Sequence, residues 1–216
     1  HHQNQASGPT DKQRREKYQR LAARIYLSGS PIENTPAADY LRVRAIDFPA
    51  LGRPWPNALR FVPDLLCRER GQDVRLPGLV MAMRSVNGKG LQAIQRIYLE
   101  QRGGQWVKAD LKSPKLTLGP AAGAFVPLAR GASGKSMTCR ANGVVKITMP
   151  ADDLVVVLEG PEDALSFALA YPEARVLCTC GIGGLDIPDL PPCNLVWAIQ
   201  NDAVPSLRQR LQRQVA

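Results

Sequence analysis

The spacing of apolar side chains predicts two helices near the start of the chain. The first is expected within residues 11–30, where apolar residues recur at helical spacing and basic residues occupy the other faces. The apolar stripe consists of Tyr18, Leu21, Ala22 and Ile25. The second helix is short, with Thr35 able to cap it and Pro36 at its first position.

From residue 58 to residue 145 the pattern changes to short apolar runs typical of strands. Residues 79–86 and 91–99 form two such runs, and the Gly-rich segment 87–90 between them indicates a hairpin. Further short extended pieces follow within residues 105–128. This part of the chain is therefore predicted to be a small antiparallel or α+β region.

The last third of the chain alternates between strand and helix patterns. Residues 154–160 form a continuous apolar run typical of a buried parallel strand, and residues 161–172 follow as a helix that begins with a proline. Two further strands are predicted at 175–180 and 195–199, and an amphipathic helix at 205–215. This order predicts an α/β unit with right-handed crossovers.

These patterns divide the chain into three segments. Residues 1–10 are expected to be a disordered leader that carries the remnant of a purification tag. Residues 11–149 are predicted to form a basic α+β domain with antiparallel strands, and residues 150–216 a small parallel-sheet α/β domain. His1 and His2 are the only histidines, which excludes a histidine base and a histidine-rich metal site.

The net charge of +9 conceals two oppositely charged regions. Residues 150–206 contain nine acidic residues and one base, Arg175, whereas the rest of the chain has 27 basic and 10 acidic residues. A strongly basic surface indicates a polyanionic partner, most often nucleic acid. An acidic segment inside such a protein indicates a divalent cation. Two independently solvated faces are the alternative explanation.

The antiparallel region is the better candidate for contact with nucleic acid, because basic residues recur along it. The predicted binding residues are Arg60, Arg84, Arg96, Lys108, Lys112 and Lys115. The basic face of the first helix is a further candidate, although such a face is usually only solvated.

The five cysteines contain no CxxC pair, which indicates a reducing, cytoplasmic setting. Cys178 and Cys180 lie two residues apart on a predicted strand, so we expect them to share a face and to pack rather than bind a metal. No apolar stretch approaches the roughly 20 residues that a membrane-spanning helix needs. The polar start of the chain argues against a signal peptide.

Two glycine-rich segments resemble nucleotide-binding motifs only in part. GASGKS at 131–136 ends like a phosphate-binding loop, but Ala129 stands where the first glycine should be, and no helix pattern follows. GIGGLD at 181–186 has Asp186 at the third glycine position of the dinucleotide fingerprint. Neither predicts a nucleotide site, and GASGKS is interpreted as a flexible loop.

Three carboxylates are predicted to meet at the carboxyl edge of the parallel sheet. Glu159 closes its first strand, Asp163 follows in the first turn of the helix, and Asp202 closes its third strand. Facing carboxylates repel one another unless a cation lies between them, so this set predicts a Mg²⁺ site for phosphoryl chemistry. A simpler role remains open for Glu162 and Asp163, which both favour the helix dipole.

The order of these motifs resembles the Toprim domain of bacterial-type primases, topoisomerases and some nucleases. The similarity rests on Glu159-Gly160-x-x-Asp163-Ala164-Leu165, the following GIGGL segment and a strand that ends in acidic residues. Upstream segments, among them GSPIENTPAADYLRVRAI and IQRIYLEQRGG, are similar to the region before Toprim in primase-like proteins of phages and mobile elements. The resemblance covers roughly residues 15–202.

The resemblance implies a role in DNA replication or in maintenance of a phage, plasmid or other mobile element. Glu159 would be the general acid/base of nucleotidyl transfer, and Asp163, Asp202 and Gln200 would surround Mg²⁺ or Mn²⁺. Single-stranded or primer-template DNA would be the partner, together with replication proteins such as a helicase. The zinc module and the last strand-helix unit of the family are expected to be missing.

One departure from the Toprim pattern bears on activity. The family's metal-binding DxD motif reads Gln200-Asn201-Asp202 in this chain, so an amide replaces the first aspartate. Loss of one negative ligand should weaken a solvated Mg²⁺ site and reduce turnover. The resemblance therefore leaves three alternatives: a weakened primase-type nucleotidyltransferase, a non-catalytic DNA- or protein-binding module, and a Toprim-type nuclease.

Overall fold

The computed structural model describes residues 10–69, 71–87, 90–181, 187 and 189–198. Three α-helices lie within them, namely α1 (Asp11–Ser28), α2 (Pro36–Arg42) and α3 (Pro161–Ala170), together with a 3₁₀ turn at Pro49–Leu51. The strands are β1 (Leu59–Glu69), β2 (Gln72–Arg84), β3 (Leu91–Arg102), β4 (Gln105–Lys108), β5 (Lys115–Leu118), β6 (Val126–Arg130), β7 (Thr138–Ala141), β8 (Val144–Ile147), β9 (Leu154–Leu158), β10 (Arg175–Cys178) and β11 (Asn194–Ala198).

The first sheet is antiparallel, with the order β1-β2-β3-β4 and β5 paired to β3. The predicted hairpin of residues 79–86 and 91–99 is confirmed, because β2 pairs with β3. Strand β1 and the first half of β2 were not predicted. Both contain a proline, which usually argues against a strand, but Pro63 lies where the register of β1 shifts between Val62 and Leu65.

The two faces of the antiparallel sheet are both covered. Helix α1 packs on one face, where Ala22 and Tyr26 join a buried cluster with Val80, Ile94 and Tyr98. The opposite face belongs to the largest buried cluster of the described chain, which also includes side chains of α2, β9, α3 and β10. The antiparallel sheet and the later α/β elements therefore share one core.

The second sheet has the order β11-β9-β10-β6. Strands β9, β10 and β11 are parallel, and α3 connects β9 to β10, which confirms the predicted strands and helix of this part of the chain. Strand β6, from the segment predicted to belong to the earlier domain, pairs antiparallel with β10. The chain is thus a mixed α/β protein with an antiparallel sheet and a mixed sheet.

The helix starts agree with the predicted boundaries but not with every predicted cap. Helix α1 has a capping box in which Thr10 accepts a hydrogen bond from the Gln13 backbone and Gln13 accepts one in return. Thr35 occupies the N-cap position of α2, with Pro36 next, as predicted. Its hydroxyl does not cap the helix, however, because it donates to the carbonyl of Ile32.

The segment after the GASGKS loop forms a hairpin that was not predicted. Strands β7 and β8 pair antiparallel around Asn142 and Gly143, which both have positive φ angles of 51° and 78°. Asn-Gly is the strongest short-range hairpin signal, because both residues tolerate this left-handed conformation. The residues directly after GASGKS lead into β7 rather than into a helix, in agreement with the rejection of a phosphate-binding loop.

Several predicted features lie outside the described residues: the leader up to residue 9, most of the GIGG turn, Gln200, Asp202 and the helix at 205–215. In the part of the chain that is described, no helix is long and apolar enough to cross a membrane.

Candidate functional site

Glu159 and Asp163 line a cavity of about 560 Å³ at the carboxyl end of β9. Glu159 is the first residue after the strand, and Asp163 lies in the first turn of α3, which begins at Pro161. We call this cavity the carboxylate cleft. It is lined by Arg44, Gln95, Lys108, Lys115, Thr117, Glu159, Gly160, Pro161, Glu162, Asp163 and Cys180.

Three cations from the earlier part of the chain face these carboxylates across the cleft. Arg44 follows α2, Lys108 is the last residue of β4, and Lys115 is the first residue of β5. Lys108 and Lys115 were predicted to bind nucleic acid, whereas Arg44 was not singled out. No local signal marks Arg44, because only the packing of α2 against β4 brings it to the cleft.

Glu162 connects the two sides of the cleft. Its carboxylate lies 2.6 Å from Lys108 Nζ and 3.6 Å from Lys115 Nζ, and its side chain is 15% exposed. Burial alone would raise the pKa of Glu162, but hydrogen bonds from Lys108 and Tyr40 and the charges of both lysines outweigh it and hold that pKa at about 2. Glu162 is therefore ionised, and it neutralises part of the positive charge in the cleft.

Tyr40 fixes Glu162 from the side of α2. Its hydroxyl donates a 2.6 Å hydrogen bond to Glu162 Oε1, and the guanidinium of Arg44 lies 4.7 Å from the centre of its ring. Burial, together with the neighbouring carboxylate, raises the pKa of Tyr40 above its usual value. Tyr40 is thus a neutral donor that ties α2 to the first turn of α3 and positions Arg44.

Two thiols lie close together at the cleft, and one of them, that of Cys180, lines it. Cys178 is buried in β10, and its Sγ lies 3.6 Å from Cys180 Sγ and within 3.4 Å of the carbonyl oxygen of Glu159. Cys180 has a positive φ of 58°, which turns the chain so that the two sulfurs meet. The hydrogen bond with Cys178, together with burial, raises the pKa of the Cys180 thiol. The two thiols therefore pack against each other beneath the backbone of Glu159.

The carboxylate oxygens of Glu159 and Asp163 are the kind of donor that Mg²⁺ prefers. Within the described residues, no three His, Cys, Asp or Glu side chains are grouped closely enough to hold a metal ion. The remaining predicted ligands, Gln200 and Asp202, lie outside the described residues. The donor chemistry of the cleft suits a hard divalent cation, and completion of the ligand set by Asp202 stays a prediction.

The other predicted nucleic-acid residues do not join Lys108 and Lys115. Arg96 lies on the α1 side of the sheet beside Tyr98, and Arg60 lies over the ring of Tyr26. Lys112 lines a separate depression near Glu69 and Asp110. Arg84, at the end of β2, lines yet another cavity. The structure thus distributes the six predicted residues over several surfaces.

The fold and the cleft together define a mixed α/β protein with a charged cavity lined from both its antiparallel region and its α/β unit. A family described as a domain of unknown function, DUF7146, matches residues 16–128, more than half of the chain, and the protein belongs to this family. The matched region extends from α1 into β6 and includes Arg44, Lys108 and Lys115, but it ends before Glu159. No curated protein matches the chain, and no solved structure does.

Proposed function

We propose that this protein is a primase-like Toprim protein that acts on DNA in the replication or maintenance of a phage, plasmid or other mobile element. Its chemistry would be metal-dependent nucleotidyl transfer, weakened by Gln200. The parallel strands β9, β10 and β11, with α3 and the motif from Glu159 to Leu165, support a Toprim-like reading of the α/β unit.

The single observation that carries the proposal is the meeting of both charge types in the carboxylate cleft. Arg44, Lys108 and Lys115 come from the antiparallel region, and Glu159 and Asp163 from the α/β unit. Phosphoryl chemistry requires cations that stabilise phosphate oxygens and carboxylates that hold a metal. Local strand and helix patterns would not bring these five side chains together by themselves.

Each group then has a role at the reacting phosphate. Glu159 would exchange a proton with the attacking or leaving oxygen, while Arg44, Lys108 and Lys115 would hold phosphate oxygens. Asp163 and Asp202 would hold a divalent cation, which would neutralise charge that develops on the phosphoryl group. For Lys108 and Lys115 to bind phosphate, they must exchange Glu162 for the substrate, since Glu162 is their partner in this structure.

The test is template-directed primer synthesis with Mg²⁺ or Mn²⁺. We expect slow synthesis by the unaltered protein and none by Glu159→Gln, which keeps the size of the side chain but cannot exchange a proton as a carboxylate. Glu33→Gln, at an exposed position outside the cleft, is the matched control and should leave synthesis unchanged. Absence of synthesis by the unaltered protein with either metal would refute nucleotidyl transfer.

A second candidate is a non-catalytic DNA-binding module, and two observations favour it. Gln200 removes a charge from the predicted metal site, and Glu162 already neutralises two cations of the cleft. Gln200→Asp should tighten Mg²⁺ binding in a calorimetric titration if the site is placed correctly. Unchanged Mg²⁺ affinity, together with retained DNA binding, would favour the non-catalytic module.

A further inference from the structure

A second cavity lies at the other end of β10 from the carboxylate cleft. Its volume is about 580 Å³, and it is bounded by the loop before β1, the end of β2, β6 and the start of β10. Four arginines line it, Arg53, Arg84, Arg130 and Arg175, and its described lining contains no acidic side chain. We call this surface the arginine groove.

Strand β10 separates the two cavities. Arg175, its first residue, lines the arginine groove, whereas Cys180, just past its last residue, lines the carboxylate cleft. Leu177 also lines the groove, but the two cavities share no lining residue, so the groove is a distinct surface. Parallel sheets bind ligands at the carboxyl ends of their strands, and the groove lies at the opposite end of β10. Any ligand binding in the groove must therefore come from its own side chains.

Two of the arginines support the walls of the groove. Arg53 donates to the carbonyls of Ala168 and Leu169 at the end of α3. Arg175 is only 3% exposed and donates to Asp153 Oδ2 at 2.8 Å. The same nitrogen donates to the carbonyl of Lys135 and to the hydroxyl of Ser133. These contacts fix the loop after β6 and leave the rim of the groove well defined.

The other two arginines, Arg84 and Arg130, are exposed at the rim. In the part of the chain that the structure describes, neither forms an ion pair with an acidic side chain. A planar guanidinium without a protein carboxylate is well suited to bind phosphate oxygens in pairs. The rim of the groove therefore offers two charges to an anion.

Trp55 supplies an aromatic surface inside the groove. The residue is held between Pro54 and Pro56, and its ring centre lies 5.6 Å from that of Phe48, which is buried. The indole is half-buried and lines the groove. A rigid aromatic ring beside arginines is the arrangement on which bases of single-stranded nucleic acid stack. This combination favours a nucleotide unit over a simple anion.

The surroundings of the groove remain positive beyond one nucleotide. The chain has no acidic residue between Asp110 and Asp152. The β7–β8 hairpin is attached to the groove by Thr138, which donates to the carbonyl of Val86. The exposed bases on this loop and hairpin are Lys135, Arg140 and Lys146. A positive surface that continues past the cavity fits a polyanion longer than a single nucleotide.

We propose that the arginine groove binds single-stranded DNA, with phosphates on Arg84 and Arg130 and a base stacked on Trp55. The inference rests on the DNA partner of the proposed function but not on nucleotidyl transfer. Binding at the amino end of β10 would hold a strand at a distance from the carboxylate cleft. The groove is thus a holding site for the strand rather than the site of chemistry.

The test is fluorescence anisotropy with a labelled oligothymidylate over a range of salt concentrations. Arg84→Ala with Arg130→Ala should weaken binding on the order of tenfold or more, and it should reduce the slope of log affinity against log salt by about 1.4 for two lost phosphate contacts. Trp55→Ala should weaken binding roughly 5- to 150-fold with little change in that slope, and Trp55→Phe should restore most of it.

The matched control removes two exposed arginines at the far hairpin. Arg68 and Arg75 lie on β1 and β2 and pair with Asp73 and Asp64, so Arg68→Ala with Arg75→Ala changes the net charge equally. An equal loss of DNA affinity in this control would overturn the proposal, because binding would then follow net charge alone. Thermal melting of each variant separates loss of binding from loss of folding.

Two further measurements distinguish binding of a DNA strand in the groove from binding of a free nucleotide and from chemistry at the cleft. If excess nucleoside triphosphate displaces the oligomer as well as an unlabelled oligomer does, the groove is a site for free nucleotide and the proposal is wrong. Glu159→Gln should leave oligomer affinity unchanged. If the unaltered protein synthesises no primer but retains groove-dependent binding, nucleotidyl transfer at the cleft is refuted and the groove proposal stands.

Discussion

The carboxylate cleft and the arginine groove lie at opposite ends of β10 and differ in their charge balance. Three cations and three carboxylates line the cleft, whereas four arginines and, among the described lining residues, no carboxylate line the groove. A surface that only holds a polyanion needs positive charge. A surface that does chemistry on phosphate needs cations for the phosphate and carboxylates for a metal.

The two cavities also differ in where their ion pairs lie. In the cleft, Glu162 forms the ion pairs and Tyr40 anchors it, so the charges facing the cavity are internally compensated. In the groove, the compensated pair Arg175–Asp153 is buried behind the wall, and Arg84 and Arg130 are left at the rim. In the cleft, the ion pairs therefore lie at the cavity itself. In the groove, the ion pair lies in the supporting structure behind the cavity.

The largest expected effect concerns that scaffold. Asp153→Asn leaves the buried Arg175 without its carboxylate, and breaking such a pair should lower the free energy of unfolding by about 3 kcal/mol. The hydrogen bonds from Arg175 and Ser133 hold the pKa of Asp153 below its usual value against the effect of burial. Asp152→Asn, at the exposed neighbour, should change almost nothing. Equal urea-unfolding curves for both variants would show that the pair is not part of the scaffold.

The next effect concerns Glu162 and pH. A carboxyl with a pKa of about 2 rather than 4.5 is stabilised by roughly 3 kcal/mol in its charged form. Because the folded-state pKa is depressed, this stabilisation is complete above pH 4.5 and is lost as the pH falls towards 2. Glu162→Gln should therefore be less stable than the unaltered protein at neutral pH. The gap should close as thermal melts approach pH 2; a gap independent of pH would contradict the assigned role.

The smallest effect is on affinity at the cleft. Glu162→Gln releases Lys108 and Lys115, and removal of one neighbouring negative charge is worth about 1 kcal/mol, or roughly fivefold. Binding of a nucleoside triphosphate, measured by calorimetry, should therefore tighten. Glu33→Gln changes the net charge equally outside the cleft. If both variants tighten binding alike, the effect is general electrostatics and the cleft is not the nucleotide site.

Sequence patterns predicted the elements with strong local signals. The apolar runs that became β9 and β10 and the Pro161 start of α3 are local features, and all three are present. β1 escaped prediction because a bulge accommodates Pro63. The β7–β8 hairpin was not predicted although Asn142-Gly143 signals it, because its two strands have only four residues each and are almost wholly exposed, so no apolar alternation marks them.

The two cavities differ in how far the sequence predicted them. Glu159 and Asp163 follow a strand end and a helix start, so their shared location could be predicted. Arg44 and Tyr40 reach the cleft only because α2 packs against β4, which no local pattern encodes. The arginine groove depends on the pairing of β6 with β10, and the predicted division of the chain at residue 149 had assigned these two strands to different domains.

The contrast between cleft and groove is tested most directly by two double variants that remove the same charge. DNA affinity and primer synthesis would be measured for Lys108→Ala with Lys115→Ala and for Arg84→Ala with Arg130→Ala. We predict that the cleft variant loses synthesis but keeps most of its affinity for oligothymidylate, and that the groove variant loses affinity. Loss of affinity in the cleft variant with unchanged affinity in the groove variant would contradict the account.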